Sequence, residues 1–185
     1  MDGDIDIAAT SILENSIYYL ENDGNQNFLK STIATDFESV AKLEAVDLDS
    51  DGDMDLLASN NNINVSSNKI VWLENDGNVN FTEHILSSNG EGPHRIKSAD
   101  FDNDGDADIL YALFNRDKII WLENDGNENF TEHIITNDIN GASTVFLEDM
   151  DGDGDLDILS ASHFGGLLYL IETKANGLFL SLIHI

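Results

Sequence analysis

Cysteine is absent, so neither a disulfide framework nor a thiolate metal site is available, and the redox compartment leaves no mark on the chain. Positive charge is scarce: eight Lys and Arg stand against 36 Asp and Glu, for a formal net charge of -28. A chain of that sign repels the phosphates of nucleic acid and an anionic membrane surface, which leaves cations as its natural partners. No apolar run reaches the roughly 18 residues of a membrane-crossing helix, and the opening MDGDIDIAAT lacks the basic and apolar stretches of a signal peptide. No helix-length amphipathic segment occurs either. What is present, 185 residues of which 41% are hydrophobic, suffices for one ordinary domain with a core.

The positive content is a repeat. An acidic stretch occurs as DLDSDGDMDLL from residue 47, DFDNDGDADIL from 100, DMDGDGDLDIL from 149 and, truncated, as DGDIDI from 2. Each is followed by a second element: IYYLENDGNQNF, IVWLENDGNVNF, IIWLENDGNENF and the weaker LYLIETKANGLF. With Asp2, Asp51, Asp104 and Asp153 taken as equivalent, the periods are 49, 53 and 49 residues. The long period is explained by a polar insertion, SNNNINVSSNK, of the kind that maps to loops of a repeating unit. Units then run over about 1–35, 36–86, 87–136 and 137–185.

Within a unit the segments read as short strands. SVAKLEAVD leads into the acidic loop, and DLLAS, DILYA and DILSA after it look like mostly buried strands. KIVWLEN and NFTEHIL flank Asp76-Gly77, and KIIWLEN and NFTEHII flank Asp125-Gly126. Asp-Gly between strand-like runs predicts a hairpin with a tight two-residue turn, where glycine adopts positive φ at least cost. Four strands per unit at this period predict an all-β fold of β-propeller blades. Because the chain opens inside an acidic loop and holds about four units, an incomplete propeller, part of a larger ring, is expected.

Alternating aspartates repel one another unless a cation sits among them. Calcium takes roughly six to eight oxygen ligands, and a D-x-D-x-D-G-D-x-D loop can wrap one ion. In the first complete loop Asp47, Asp49 and Asp51 would offer side-chain oxygens, Asp53 its backbone carbonyl and Asp55 a closing carboxylate, with Gly52 allowing the chain to fold back. Asp100, Asp102, Asp104, Asp106 and Asp108 take the same roles in the second, and Asp149, Asp151, Asp153, Asp155 and Asp157 in the third. Magnesium, which prefers a strict octahedron and keeps its waters, is less well served. A helix-loop-helix calcium hand would need Glu at the twelfth position, where Ala58, Tyr111 and Ser160 stand instead. Aspartates that merely solvate a turn would not explain three copies with one spacing.

On these loops and hairpins the chain resembles the FG-GAP and VCBS repeats, the calcium-binding blades also found in integrin alpha-subunit propellers. The resemblance implies a propeller, commonly of seven blades, with calcium between the first and second strands of a blade. It also implies that the ions stiffen blades while ligands bind to loops elsewhere. The phrase FG-GAP is not present as such, so the bacterial VCBS-like branch is the closer match, and the first unit lacks the two leading aspartates.

Catalytic candidates are thin. His84 and His133 recur beside Glu83 and Glu132 in FTEHI, as structural strand residues do, and His94 and His163 have no partner motif. Trp72 and Trp121 could stack sugars, but Tyr19 and Leu170 at equivalent positions favour packing. Asn64, Asn80 and Asn129 match glycosylation acceptors, and the Asn-rich insertion at 60–68 reads as a solvated loop. The tail LSLIHI from residue 180 partly satisfies the last expected strand but also resembles translated sequencing-adapter sequence, and is assigned no function. The expected function is therefore a calcium-binding propeller segment of a secreted or cell-surface protein, a non-enzymatic scaffold for adhesion to an extracellular protein or glycan. The alternative is the propeller part of an extracellular polysaccharide-active enzyme or lectin.

Overall fold

The computed structural model describes residues 3–35, 37–60, 68–88, 93–174 and 178–184, with backbone alone at 41 and 178–184. Asp2, Asn64, Ile185 of the tail and most of the Asn-rich insertion fall outside the described residues. Among the described residues fifteen strands form four antiparallel sheets, each a meander in which sequence neighbours pair. The first has three strands, β1 (Ile7–Ser11), β2 (Ser16–Asn22) and β3 (Phe28–Ala34). The second has β4 (Val40–Val46), β5 (Asp55–Asn60), β6 (Ile70–Asn75) and β7 (Phe81–Ser87). The third has β8 (Arg95–Ala99), β9 (Asp108–Leu113), β10 (Lys118–Asn124) and β11 (Phe130–Thr136). The fourth has β12 (Phe146–Glu148), β13 (Asp157–Ala161), β14 (Leu168–Lys174) and β15 (Leu178–His184). These sheets are propeller blades. Among the described residues there is no α-helix, and a short 3-10 turn, Phe114–Arg116, joins β9 to β10. The last strand pairs along β14 from Lys174↔Leu178 to Tyr169↔His184, so most of the tail is strand.

Burial follows strand position. Every residue of β5 and β9 is buried, which is why DLLASN and DILYAL read as near-continuous apolar runs, whereas β7 and β11 keep several exposed residues. The contacts divide the chain into two compact units, residues 1–47 with 51–92, and residues 48–50 with 93–185. In the first, Ile17, Phe37, Val40, Leu56, Ala58, Val71 and Leu73 form the core. In the second, Phe101, Leu110, Ile119, Trp121, Ile139, Ile158, Tyr169 and Ile171 are among the residues that do so. Each fully buried Leu, Ile or Phe contributes about 1.5–3 kcal/mol relative to exposure. Trp72 and Trp121 are 2% and 4% exposed, so both are packing residues and neither presents a ring to a sugar.

The hairpins differ from the two-residue turn the sequence suggested. β6 and β7 are joined by five residues closed by the Asp76 N–H to Asn80 carbonyl bond, 3.1 Å, with positive φ at Gly77 and at Val79. The Asp76 carboxylate supplies the reason. It accepts from the N–H groups of Asn78 at 2.9 Å and Asn80 at 3.2 Å and from the Asn80 amide at 2.9 Å, so the side chain stabilises a wider loop.

Candidate metal centre

The acidic loops join the first and second strands of the second, third and fourth blades, and the five-residue hairpins lie at the same strand ends. In the second complete loop Gly105, at φ +102, donates its N–H to Asp100 Oδ2 at 3.1 Å, and Asp106 N–H reaches Asp104 Oδ1 at 3.0 Å. The third repeats this with Gly154 to Asp149 Oδ2 at 3.1 Å and Asp155 to Asp153 Oδ1 at 3.1 Å. The backbone thereby bends the alternating side chains inward. One carboxylate oxygen from each of Asp100, Asp102 and Asp104 lies within 4.8 Å of the others, and the same holds for Asp149, Asp151 and Asp153 and for Asp47, Asp49 and Asp51.

Such proximity is electrostatically costly without a counter-charge. The Asp102 carboxyl is held above its ordinary range, first by burial and then by the charge of Asp104. Asp47 Oδ1 is buried and has no hydrogen-bond partner among the described residues. A set of hard, anionic oxygens with an unsatisfied buried member fits a hard divalent cation, and no nitrogen or sulfur ligand stands in these groups to favour a softer metal.

The remaining sequence-predicted residues stand outside the three-carboxylate groups. Asp55, Asp108 and Asp157 open β5, β9 and β13 and are at most 2% exposed. Asp55 accepts from Trp72 Nε1 at 2.9 Å and from Asn75 N–H at 2.8 Å. Asp108 accepts from the N–H of Asn124 at 2.7 Å and of Phe101 at 3.1 Å, and Asp157 from Thr173 and Met150, both at 3.0 Å. Burial pushes Asp108 up to about 6, against the pull of those two N–H donors. The truncated first loop keeps this arrangement: Asp6 accepts from Tyr19 Oη at 2.5 Å and Asn22 N–H at 2.8 Å. Asp53 and Asp106 carry side chains that roof the hairpin glycines. A β-carbon on Gly77 or Gly126 would lie 2.3 Å from an Oδ2 of Asp53 or Asp106, respectively, and would push that carboxylate aside, while the positive φ of +75 and +68 itself favours glycine. Asp155 instead accepts from Asn103 Nδ2 at 3.1 Å.

Sequence reasoning missed the clasp between loop and hairpin. Asn124 donates its backbone N–H to Asp108 and its amide to the Ala107 carbonyl at 3.1 Å, while its Oδ1 accepts from Gly126 N–H at 3.1 Å. Asn22 does the same with Asp6, Ile5 and Gly24. Asn75 also clasps its loop, with Val79 in place of the glycine. In the fourth blade Thr173 substitutes, its hydroxyl donating to the Leu156 carbonyl at 2.7 Å. The recurrence of LEN, with IET in the last unit, was the available signal. His84 stacks on Trp72 with centroids 4.6 Å apart and donates to Glu74 at 2.6 Å, while Glu83 pairs with Lys69. His133 repeats this with Trp121 and Glu123. Neither histidine pairs with the glutamate beside it in sequence, because successive strand residues face opposite sides.

A family model for an FG-GAP-like repeat matches the chain three times, over residues 1–58, 47–111 and 100–160. Among solved structures, a lectin of Agrocybe aegerita, described for its specific recognition of non-reducing terminal N-acetylglucosamine, is similar in fold. The TM-score is 0.63 at 18% identity, over 92% of this chain and 47% of that one, so this chain spans about half the length of its structural relative. No curated protein matches the sequence. Each family match runs from one acidic loop, through the hairpin, into the next acidic loop, and together they cover residues 1–160: the chain belongs to the FG-GAP-like repeat family.

Proposed function

We propose that the chain is a calcium-binding propeller segment of a secreted or cell-surface protein, a scaffold that presents loops to an adhesion partner or other ligand. The observation that carries the reading is the threefold recurrence of three carboxylates gathered within 4.8 Å on a chain of charge -28. Asp47, Asp49 and Asp51 and their equivalents would hold the ion through side chains, and Asp53, Asp106 and Asp155 would offer backbone carbonyls. Asp55, Asp108 and Asp157 would close the sites, since a carboxylate oxygen that accepts one hydrogen bond keeps a second lone pair. The ion would supply positive charge and so cancel the repulsion that the loops otherwise carry.

Calorimetric titration with calcium and with magnesium tests this directly. Calcium should bind more tightly, and Asp51→Ala should weaken binding more than Asp53→Ala, because only the first would lose a side-chain ligand. No calcium uptake, or the reverse ranking of the two variants, would refute the assignment.

A second reading, that the segment belongs to a lectin or to an extracellular polysaccharide-active enzyme, is favoured by the fold similarity to a lectin. Immobilised glycans probed with the chain in calcium test it. Retention on at least one glycan class supports a carbohydrate ligand, and none on any leaves the protein-adhesion reading.

A further inference from the structure

We propose that the second unit carries a carbohydrate-binding platform at the strand ends opposite its acidic loops, built from His94, Phe114, His163 and Phe164 and directed at a sugar bearing a carboxylate. The inference rests on the reading of the chain as a ligand-binding scaffold and names a site and a ligand class for it. Phe114 lies in the β9–β10 connection, His163 and Phe164 lie in the β13–β14 connection, and His94 directly precedes β8. The Phe114 ring is the hub: its centroid is 5.3 Å from those of His94, His163 and Phe164, and His163 and Phe164 are 5.0 Å apart. Interplanar angles from 30° to 88° make a cup of rings.

The rings are held out into water on a rigid frame. Phe164 is 66% exposed, and His94 and His163 are exposed as well. Beneath them Ser162 Oγ donates to the Asn140 carbonyl at 2.6 Å and accepts from Gly165 N–H at 2.9 Å. His163 N–H reaches the Gly141 carbonyl at 3.0 Å, and Gly141 N–H reaches Asp117 Oδ1 at 2.7 Å. Gly141 sits at φ +67, and a β-carbon there would lie 2.8 Å from the Phe164 ring, so the ring rests on bare backbone. His94 Nδ1 donates to the Ser143 carbonyl at 2.9 Å, which fixes its ring. An exposed aromatic ring adds little to a core, and a frame that orders several such rings before any ligand arrives removes part of the entropy cost of binding.

The ring chemistry and the local charge select the occupant. Half of the rings are imidazoles, which join an apolar face to a hydrogen-bonding edge, and a sugar has the matching pair of an apolar C–H face and a hydroxylated rim. A purely apolar peptide side chain would strip water from those edges without replacing it. Three of the chain's eight Lys and Arg stand at this end of the sheet: Arg95 opens β8, Arg116 lies in the β9–β10 connection and Lys118 opens β10, whereas the five aspartates of the 100–108 loop lie at the opposite strand ends. Arg95 and Arg116 are exposed, and Asp117, between Arg116 and Lys118, is turned to the Gly141 N–H. In so acidic a chain, cations placed at the ring end of the sheet complement a carboxylate.

The chain contains five histidines, so its imidazole NMR signals can be followed individually. The full chain in calcium is titrated with an oligogalacturonate, with an N-acetylglucosamine trimer and with a Leu- and Phe-rich hexapeptide. The uronate should shift the His94 and His163 signals and leave those of His84 and His133 in place, and it should bind more tightly than the neutral trimer, with the difference shrinking in salt. Phe164→Ala should weaken uronate binding by about tenfold, equivalent to about 1.4 kcal/mol, with the melting temperature unchanged. His163→Gln should act in the same direction. Sugar binding that shifts only other histidines would leave the carbohydrate reading standing and overturn this site. No response to either sugar would remove the carbohydrate reading and the site together. Peptide shifts at His94 and His163 without sugar shifts, or equal affinity for the two sugars, would overturn the ligand assigned here.

Discussion

The hairpin at 125–129 and the acidic loop at 100–108 belong to the same blade and are both rich in Asp and Gly, yet they treat negative charge in opposite ways. In the hairpin the Asp125 carboxylate is surrounded by donors, the N–H groups of Asn127 at 2.9 Å and Asn129 at 3.3 Å and the Asn129 amide at 3.0 Å. Its pKa is accordingly lowered, the Asn127 N–H being the largest cause. In the acidic loop the positions that could have supplied amides are further aspartates, and the Asp102 carboxyl is driven the other way by burial and by Asp104. Replacing Asn by Asp at alternate positions turns a loop whose carboxylate is ringed by amide donors into one whose carboxylates face one another, the arrangement on which the proposed cation rests. The same contrast separates Asp108, whose oxygens are engaged by buried N–H groups, from Asp100, Asp102 and Asp104, which are gathered together.

The largest effect should come from supplying or withholding the cation. Sites that bind only the folded state stabilise it by about 2.7 kcal/mol each at a hundredfold excess over Kd. For three sites on a chain of this size, chelator should lower Tm by roughly 15–30 °C relative to excess calcium. Calorimetric scans in the two conditions check this, and coincident scans would mean that the acidic loops satisfy themselves as the hairpins do. Next in size is Asp108→Ala measured in chelator, where only the hydrogen-bonding role is read. It orphans two buried N–H donors, at about 1–3 kcal/mol each, so urea melts should show a loss of about 2–5 kcal/mol. A loss below 1 kcal/mol would show that this carboxylate serves the cation alone.

Smaller again is the contrast between Trp72→Phe and Trp121→Phe. The first removes the donor 2.9 Å from Asp55 Oδ2, whereas the Trp121 indole lies beside Asp108 and pulls its carboxyl down without completing a hydrogen bond of ordinary geometry. The Trp72 change should cost about 1 kcal/mol more in paired urea melts. The smallest effect belongs to the hairpins. Because the folded pKa values of Asp23, Asp76 and Asp125 are lowered, their contribution is present above the unfolded value of about 3.9 and is lost as pH falls through the folded values. Asp76→Ala should therefore lower Tm near pH 7 by less than Asp108→Ala does, and the difference from the parent should vanish once the pH has fallen through the lowered folded value. A difference that persists once the carboxylate is protonated would show that the loop is held by something other than the ionised group.

The blade pattern was legible because its signals are local. The recurring acidic loop marks the turn between the first two strands, the apolar run after it marks a strand buried on both faces, and Asp-Gly marks the hairpin. The hairpin's width was not legible, because Asp-Gly also begins a loop in which the aspartate side chain, and not the glycine alone, organises the backbone. The aspartates of each acidic loop looked alike in sequence. The fold separates them into three that face one another, one that roofs a glycine in the second and third blades, and one that is buried at a strand start. The clasp formed by Asn22, Asn75, Asn124 and Thr173 was hidden because its partners are 16 to 20 residues away and because threonine can replace asparagine in it.

The sequence by itself determined the period, the strands of a blade and the sign of the net charge, since each follows from residue order and composition. Tertiary structure alone decided which carboxylates meet only the N–H groups of their own loop and which are also engaged from a neighbouring strand, because the second kind of donor is delivered from 16 to 20 residues away. It also brought His94, Phe114, His163 and Phe164 together from three connections distant in sequence, since antiparallel strands return their loops to the same end of the sheet.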